Sequence, residues 1–501
     1  MDKNELLLPV ITAIREKRWD DALEAADRAS AELPDDPDML ALQGVALLGS
    51  GRPSYALPIF EQAVSLSPSK ALYLRLAQTR EILGDLIGGL YAREEAAKLG
   101  APDARELYGL GHAQEVGHRF AAARETFRKL LEGHEKVPEF ARATARLERI
   151  GGDRETAVAI LDRAREGSPE EPRILADRIA LGGAGDEATG LAERLIGKED
   201  LPLGQRRGLA FALTGHFDRA EDEEKAWHFA TLGNGLYTTE GQTVELAEAS
   251  IEDAFSRERT IEALPATEDM PKLIYLLGAP RTGGTLLQTV LAAAPDAASM
   301  GERGALMSWL TAADADLWQQ QAEAVRLADI KGMRSIAPGA SVMIDKTTHH
   351  AHVAGLIAKL HPGAVLIEQK RDPMDTLVSV FLHNFRDAFG FTRKPVDIAD
   401  YLSLHSRTLD RWRAEGVGIE TIDYDTLVAD PSAEGEKLFG LTGQPWKESY
   451  LDEANRSAEV RTFSIDQARG PIAKPERSRG ERYAAFLKDL PDDALKGLQD
   501  A

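Results

Sequence analysis

Small residues recur along the first third of the chain at a nearly fixed spacing: Ala22, Ala56, Gly89, Ala123 and Ala157 stand 34, 33, 34 and 34 residues apart. A period of that length accommodates one helix-turn-helix unit, and a recurring small residue marks where its two helices must approach closely. One such unit cannot bury its apolar face alone, so the pattern demands stacking. Companions recur around the small residues: Gly44, Phe60, Ala63 and Pro68 in one unit, Leu107, Gly111, Phe127 and Leu130 in another, and Ala145, Leu161, Ala164 and Pro169 in a third. Pro34, Pro68 and Pro169 fall where units end. Two less regular pairs follow, one shortened through Gly182-Gly183-Ala184-Gly185, the other running from Arg207 to about Gly235 with Ala220 and Trp227 as packing anchors. Five or six stacked pairs are expected, an all-α solenoid over residues 1–238.

This period and its companions resemble tetratricopeptide arrays. The resemblance implies a concave docking surface for a protein partner or substrate; a rigid handle or dimerisation arm is the other use of such a solenoid. Residues 239–271 read as a connecting helix and linker, with Leu246, Ala247, Ile251 and Phe255 on one helical face before the chain loosens at Pro265-Ala266-Thr267-Glu268.

The remaining stretch, 272–501, has a different grammar. The apolar run Leu273-Ile274-Tyr275-Leu276-Leu277 breaks into Gly278-Ala279-Pro280-Arg281-Thr282-Gly283-Gly284-Thr285, a strand ending in a glycine-rich turn that opens a helix. Backbone N–H groups of such a turn, the helix's positive end and Arg281 make an anion site fit for phosphate or sulfate. The lysine that a nucleoside-triphosphate loop places before its final Ser or Thr is absent, which disfavours an ATPase, GTPase or nucleotide kinase. Three more apolar runs end in reactive residues: Val342-Met343-Ile344 in Asp345-Lys346, Ala364-Val365-Leu366-Ile367 towards Arg371-Asp372-Pro373, and Ile419-Glu420-Thr421-Ile422 in Asp423-Tyr424-Asp425. In a parallel sheet, all four would open onto one crevice beyond the strands' carboxyl ends.

These residues resemble the sulfotransferases that use 3′-phosphoadenosine-5′-phosphosulfate (PAPS), in particular the tyrosylprotein-sulfotransferase-like group. Pro280-Arg281-Thr282-Gly283-Gly284-Thr285 is similar to that family's loop for the 5′-phosphosulfate, and Arg371 with Ser379, eight positions on, to its grip on the 3′-phosphate. The resemblance further implies Glu302 as general base, Lys346 as catalytic lysine beside Arg281, Tyr424 as a nucleotide contact, Ser464 near the transferred group and Arg479 as a basic residue closing over the nucleotide. It implies PAPS as sulfuryl donor, no metal, and an acceptor hydroxyl on a peptide, a carbohydrate or a small molecule. The fold implied is a P-loop-like α/β domain behind the helical solenoid. Two departures stand out: Thr282 and Gly284 replace the more usual Ser and Thr, and Thr347-Thr348-His349-His350 departs from the usual Pro and Asn after the lysine.

The chemistry asks for such residues independently. Sulfuryl transfer, like phosphoryl transfer, builds charge on the bridging and peripheral oxygens, so cations, N–H donors and a base for the acceptor proton do the work. His349, His350 and His352 have no cysteine or clear carboxylate to complete a metal site and read as surface or substrate-lining residues. A net charge of −22 argues against nucleic acid as a partner. From Arg461 to Arg482, six basic residues face three acidic ones, a segment suited to lie over an anionic nucleotide. The start Met1-Asp2-Lys3-Asn4-Glu5, the lack of cysteine and the lack of any long apolar run set the expectation of a cytoplasmic protein without a membrane span. A non-catalytic scaffold with a relic nucleotide-binding domain is the rival reading.

Overall fold

The computed structural model describes residues 2–117, 119–267, 270–385, 387–452 and 477–499. By compactness the chain forms two units, Met1–Glu148 and Arg149–Ala501.

The first unit is built of antiparallel helix pairs: Lys3–Arg15 with Trp19–Glu32, Pro37–Gly49 with Pro53–Leu66, Lys70–Ile82 with Leu86–Lys98, and Ala104–Val116 with Phe120–Leu131. Helix Pro138–Ile150 runs to its end. The recurring small residues sit inside, with Ala22, Ala56 and Ala123 all fully buried. Gly44 and Gly111, 67 residues or two periods apart, make the same contact. A Cβ on Gly44 would come within 2.6 Å of the Phe60 ring, and one on Gly111 within 2.8 Å of Phe127. Both phenylalanines are fully buried, each worth about 2–3 kcal/mol of removed apolar surface.

The second unit opens with helices Arg154–Gly167, Pro172–Ala180, Asp186–Ile196, Leu203–Arg219 and Glu223–Gly235. Fourteen helices thus stand before residue 236 among the described residues, where five or six pairs were expected. The last of them do not pack only on their own kind. Leu175, Ile179, Leu213, Phe217 and Phe229 share one core with Leu377, Val378, Phe381, Ile398, Tyr483 and Leu498. Trp227 stacks on Phe486 at 5.2 Å, and Asn234 Nδ2 donates to the carbonyl of Phe381 at 3.0 Å. Helix Val244–Glu258 buries Ala247, Ile251, Ala254 and Phe255, the last stacked on Trp412 at 3.6 Å. Leu246, expected on that face, is 57% exposed, because the buried stripe advances through 247, 251, 254 and 255.

Five strands form one parallel sheet: β1 Lys272–Leu276, β2 Ala297–Gly301, β3 Val342–Asp345, β4 Val365–Lys370 and β5 Ile419–Asp423, in the order β2-β3-β1-β4-β5. β1 lies at the centre with Leu273 to Leu276 buried, the continuous apolar run that a strand covered on both faces needs. The chain leaves β1 for the β2 edge, returns to β3, and crosses to β4 and β5 on the other side. The crevice at the carboxyl ends of β1 and β4 is therefore a topological switch point, where ligands of open α/β sheets bind.

Candidate functional site

Each strand ends in one of the residues singled out from the sequence: β1 in the turn 278–283, β2 in Glu302, β3 in Lys346, β4 in Arg371 and β5 in Tyr424. The turn after β1 leads into helix Gly284–Ala292 with Gly283 as its N-cap at φ +95°. Arg281 also takes a left-handed φ of +71°, which L-residues adopt only under constraint.

The loop and the Arg371 segment meet directly. Arg281 Nε donates to Ser379 Oγ at 3.0 Å, and Arg371 Nη1 donates to the Arg281 carbonyl at 3.2 Å. Ser379 sits on helix Pro373–Phe381, whose N1 residue is Pro373, and Asp375 of its first turn accepts from Arg371 Nη2 at 3.2 Å. The Arg371 guanidinium lies over the Tyr424 ring, 4.9 Å from its centroid, and that ring fills the space beside Gly283. A Cβ at 283 would stand 2.1 Å from Tyr424 Cδ2, so glycine is required there by space as well as by φ.

Arg479 completes a basic trio. Burial and the neighbouring charges of Arg479 and Arg371 pull the Arg281 guanidinium down from its usual range to about 9. The Nε atoms of Arg371 and Arg479 are buried with no hydrogen-bond partner among the described residues. Like charges gathered around unused donors suit an anion with more than one charge.

On the other side of β1, two ion pairs cross between neighbouring strand ends. Lys346 Nζ pairs with Glu302 Oε1 at 2.9 Å, and the residue after Glu302, Arg303, pairs with the residue before Lys346, Asp345, at 2.9 Å. The register that opposes Gly301 to Asp345, and the Lys346 N–H donated to the Gly301 carbonyl at 3.0 Å, set both pairs. The outer pair is accessible, with the Glu302 side chain 53% exposed; the inner one is buried, and Arg303 also holds Asp329 at 2.5 Å. Its guanidinium is raised above the ordinary range because Asp345 and Asp329 outweigh the burial that works against it. Arg303 thus holds the chain that carries Glu302 against the chain that carries Lys346. Nothing local in the sequence marks it.

Gln369 is a second site residue that sequence reasoning misses. It is buried near the end of β4, and a Cβ on Gly278 or Gly284 would lie 2.2 Å and 2.7 Å from its side chain. Gly284 thereby makes room for Gln369 and for the Lys346 stem, 3.1 Å from the same Cβ position, which gives a steric reason for glycine where the resemblance expects a hydroxyl residue. Thr282 Oγ1 donates to the Ala279 carbonyl at 2.7 Å and ties the turn to itself, while Thr285 is buried in the first turn of the helix. Of the two expectations for these histidines, surface or substrate-lining, the surface one fails for His350 and His352, buried at 0% and 2%; His352 Nε2 lies 3.2 Å from Tyr401 Oη. His349 is half-buried and stacks on Phe389 at 5.3 Å. Ser464, and the basic segment from Arg461 as far as residue 476, lie outside the described residues.

Residues 271–448 match the model of the sulfotransferase family, and residues 10–71 and 108–172 match the tetratricopeptide repeat. The chain carries a sulfotransferase-family domain. An uncharacterized protein of Aquifex aeolicus (strain VF5) is 24% identical over an alignment of 351 positions that covers 63% of this chain and 45% of that protein; the match spans less than half the relative's length. Among solved structures, a tetratricopeptide-repeat protein of Parabacteroides merdae aligns at 18% identity and TM-score 0.35 over 47% of this chain and 93% of its own. Another, a thermophilic protein from Thermus thermophilus, aligns at 21% identity and TM-score 0.26 over 36% of this chain and 98% of its own. The sulfotransferase domain's match begins one residue before β1 and ends beyond β5, so it encloses the whole sheet and all five strand-end residues. No helix among the described residues is long and apolar enough to cross a membrane.

Proposed function

We propose that residues 272–501 form a sulfotransferase that moves a sulfuryl group from PAPS to an acceptor hydroxyl, that residues 1–238 present the acceptor or a partner protein, and that 239–271 connect the two. The observation that carries this reading is the trio Arg281, Arg371 and Arg479, gathered at the switch point of a protein of net charge −22, with two buried guanidinium Nε donors lacking a partner among the described residues. That donor set fits a nucleotide with phosphate at both ends of its ribose.

Arg371, Ser379 and Arg479 would hold the 3′-phosphate, Tyr424 would pack beside the nucleotide, and the amides of 282–285 with Arg281 would hold the 5′ end. When bound, PAPS supplies an activated sulfuryl group. Glu302 takes the acceptor hydroxyl proton as the acceptor oxygen bonds to sulfur and the bond from sulfur to the bridging oxygen breaks; adenosine 3′,5′-bisphosphate leaves with that electron pair. Lys346 and Arg281 neutralise the charge that develops on the oxygens. A chain without cysteine suits a reducing, cytoplasmic setting.

The test is calorimetry with adenosine 3′,5′-bisphosphate, followed by incubation of the full chain with sulfur-labelled PAPS in cell extract to see whether label enters protein, polysaccharide or metabolite. Glu302→Gln should keep nucleotide binding and lower turnover about 100- to 10,000-fold, the range of a lost general base. No nucleotide uptake overturns the reading. Uptake with no transfer to any acceptor would favour the scaffold.

A further inference from the structure

We propose that Asp218, on the penultimate helix of the array, is a positioning residue of the nucleotide site: its carboxylate fixes Arg479 beside Arg281, so the helix pair 203–235 is a working part of donor binding. The inference rests on the nucleotide-binding reading above.

Asp218 lies one residue before the end of helix Leu203–Arg219 and is 7% exposed. Its Oδ2 accepts from Arg479 Nη2 at 2.7 Å, its Oδ1 accepts from Tyr483 Oη at 3.0 Å and lies 3.4 Å from Arg482 Nη2, and its carbonyl accepts from Arg482 Nη2 at 2.9 Å. Burial works to raise its pKa, but Arg479, Arg482 and Tyr483 together hold it below the usual carboxylate range. Arg482 also reaches Glu223 Oε1 at 2.8 Å, on the second helix of the pair. From the opposite side, the Gly480 N–H donates to Asp375 Oδ1 at 2.6 Å, the same carboxylate that receives Arg371. Two buried aspartates, one from the array and one from the helix that carries Ser379, thus clamp the short segment 478–483 between them.

The clamp has a consequence for binding. An arginine held by one edge has already lost most of the rotamer freedom that ordering it on a phosphate would otherwise remove, so the preorganised donor binds more tightly than a free one. Asp218 also subtracts a charge from the cluster, which works in the other direction. The proposal is that positioning outweighs this subtraction, because Arg479 Nε stays unused while Nη2 is tied. Whatever displaces helix Leu203–Arg219 then displaces Arg479 with it.

Calorimetric affinity of the full chain for adenosine 3′,5′-bisphosphate tests this in a double-mutant cycle. Asp218→Asn should weaken binding about tenfold in the wild-type background and have no further effect in Arg479→Gln, an interaction that general loosening of the fold would not produce. Asp218→Glu, which keeps the charge, should recover part of the loss. If Asp218→Asn does not fold, Tyr483→Phe removes one hydrogen bond to Asp218 and should cost about threefold, again only when Arg479 is present. Unchanged or tighter binding in the variants, or an equal loss in both backgrounds, overturns the proposal. Absence of binding by the wild-type chain overturns the sulfotransferase reading instead, so the two failures are distinct.

Discussion

Arg281→Met should make the protein more stable and less able to bind its nucleotide. Burial, Arg479 and Arg371 bring the Arg281 guanidinium down from the usual arginine range to about 9. At about 1.4 kcal/mol per pH unit, that drop bounds the cost of holding the charge at about 5 kcal/mol. The residue is only half-buried and its Nε–H keeps the bond to Ser379, worth about 1 kcal/mol, so removing the charge should return about 1–3 kcal/mol. The sign in pH follows from linkage. The folded pKa lies below the unfolded one, so above about pH 9 the unfolded chain binds the extra proton; the wild-type deficit is complete below about 9 and shrinks as pH rises above it. The variant lacks that rise. Urea unfolding at neutral pH, with and without adenosine 3′,5′-bisphosphate, measures both effects. Nucleotide at a hundred times its Kd should add about 2.7 kcal/mol to the wild-type chain and almost nothing to Arg281→Met, whose affinity should fall about 100-fold. A variant that unfolds earlier than wild type without nucleotide, or that keeps the nucleotide-dependent shift, refutes the reasoning.

Gly283→Ala combines a left-handed φ with a Cβ driven into Tyr424, so it should lower stability by about 2–4 kcal/mol, seen as a lower Tm, and weaken nucleotide binding by tilting the ring on which Arg371 rests. A chain beginning at residue 152 should remain monodisperse by size exclusion and still take up nucleotide, whereas one beginning at 239 should aggregate, because it uncovers the faces of Leu377, Phe381 and Tyr483 that the helices 172–235 bury.

Where the sequence is legible, the signal is local. The repeats show because a close helix approach requires a small residue once per period, as Gly44 against Phe60 demonstrates. β1, β3 and β4 show because strands covered on both faces are apolar runs, whereas β5, an edge strand with only Ile422 buried, shows by its β-branched Ile419, Thr421 and Ile422. β2 does not, because Ala297-Ala298-Ser299-Met300-Gly301 lacks any β-branched or aromatic residue and forms a strand only through its pairing with β3. In the sequence Glu302 therefore rests on resemblance alone, and only the structure sets it just past a strand end. Trp227 reads as an anchor within a helix pair, yet its ring partners are Phe381, Tyr483 and Phe486, more than 150 residues along the chain, a distance no periodicity spans. Arg303, Gln369 and Asp218 escape for the same reason: each is defined by a partner that the fold supplies.

The crevice is electrically asymmetric, and Lys346 stands at the divide. On the β4 side Arg371 pairs with Asp375 and Arg479 with Asp218, and Arg281 adds a third positive charge beside them. On the β2 and β3 side, Lys346 is balanced by Glu302, and Arg303 by Asp345 and Asp329. In the proposed reading a nucleotide anion would be drawn to the first side, and the Lys346 stem, which passes beside Gly284 of the anion loop, would reach its transferable group from the second. In the proposed reaction the ammonium then exchanges its pairing with Glu302 for the oxygens of the transferred group, and the released carboxylate is free to accept a proton. Lys346→Met should consequently lower turnover about 100- to 1,000-fold, the usual loss for one such donor, while nucleotide affinity changes by no more than about threefold. Single-turnover transfer from labelled PAPS, measured beside calorimetric binding, separates the two quantities. Equal losses in affinity and rate would place Lys346 among the groups that only hold the nucleotide, and unaltered rate would remove it from the chemistry.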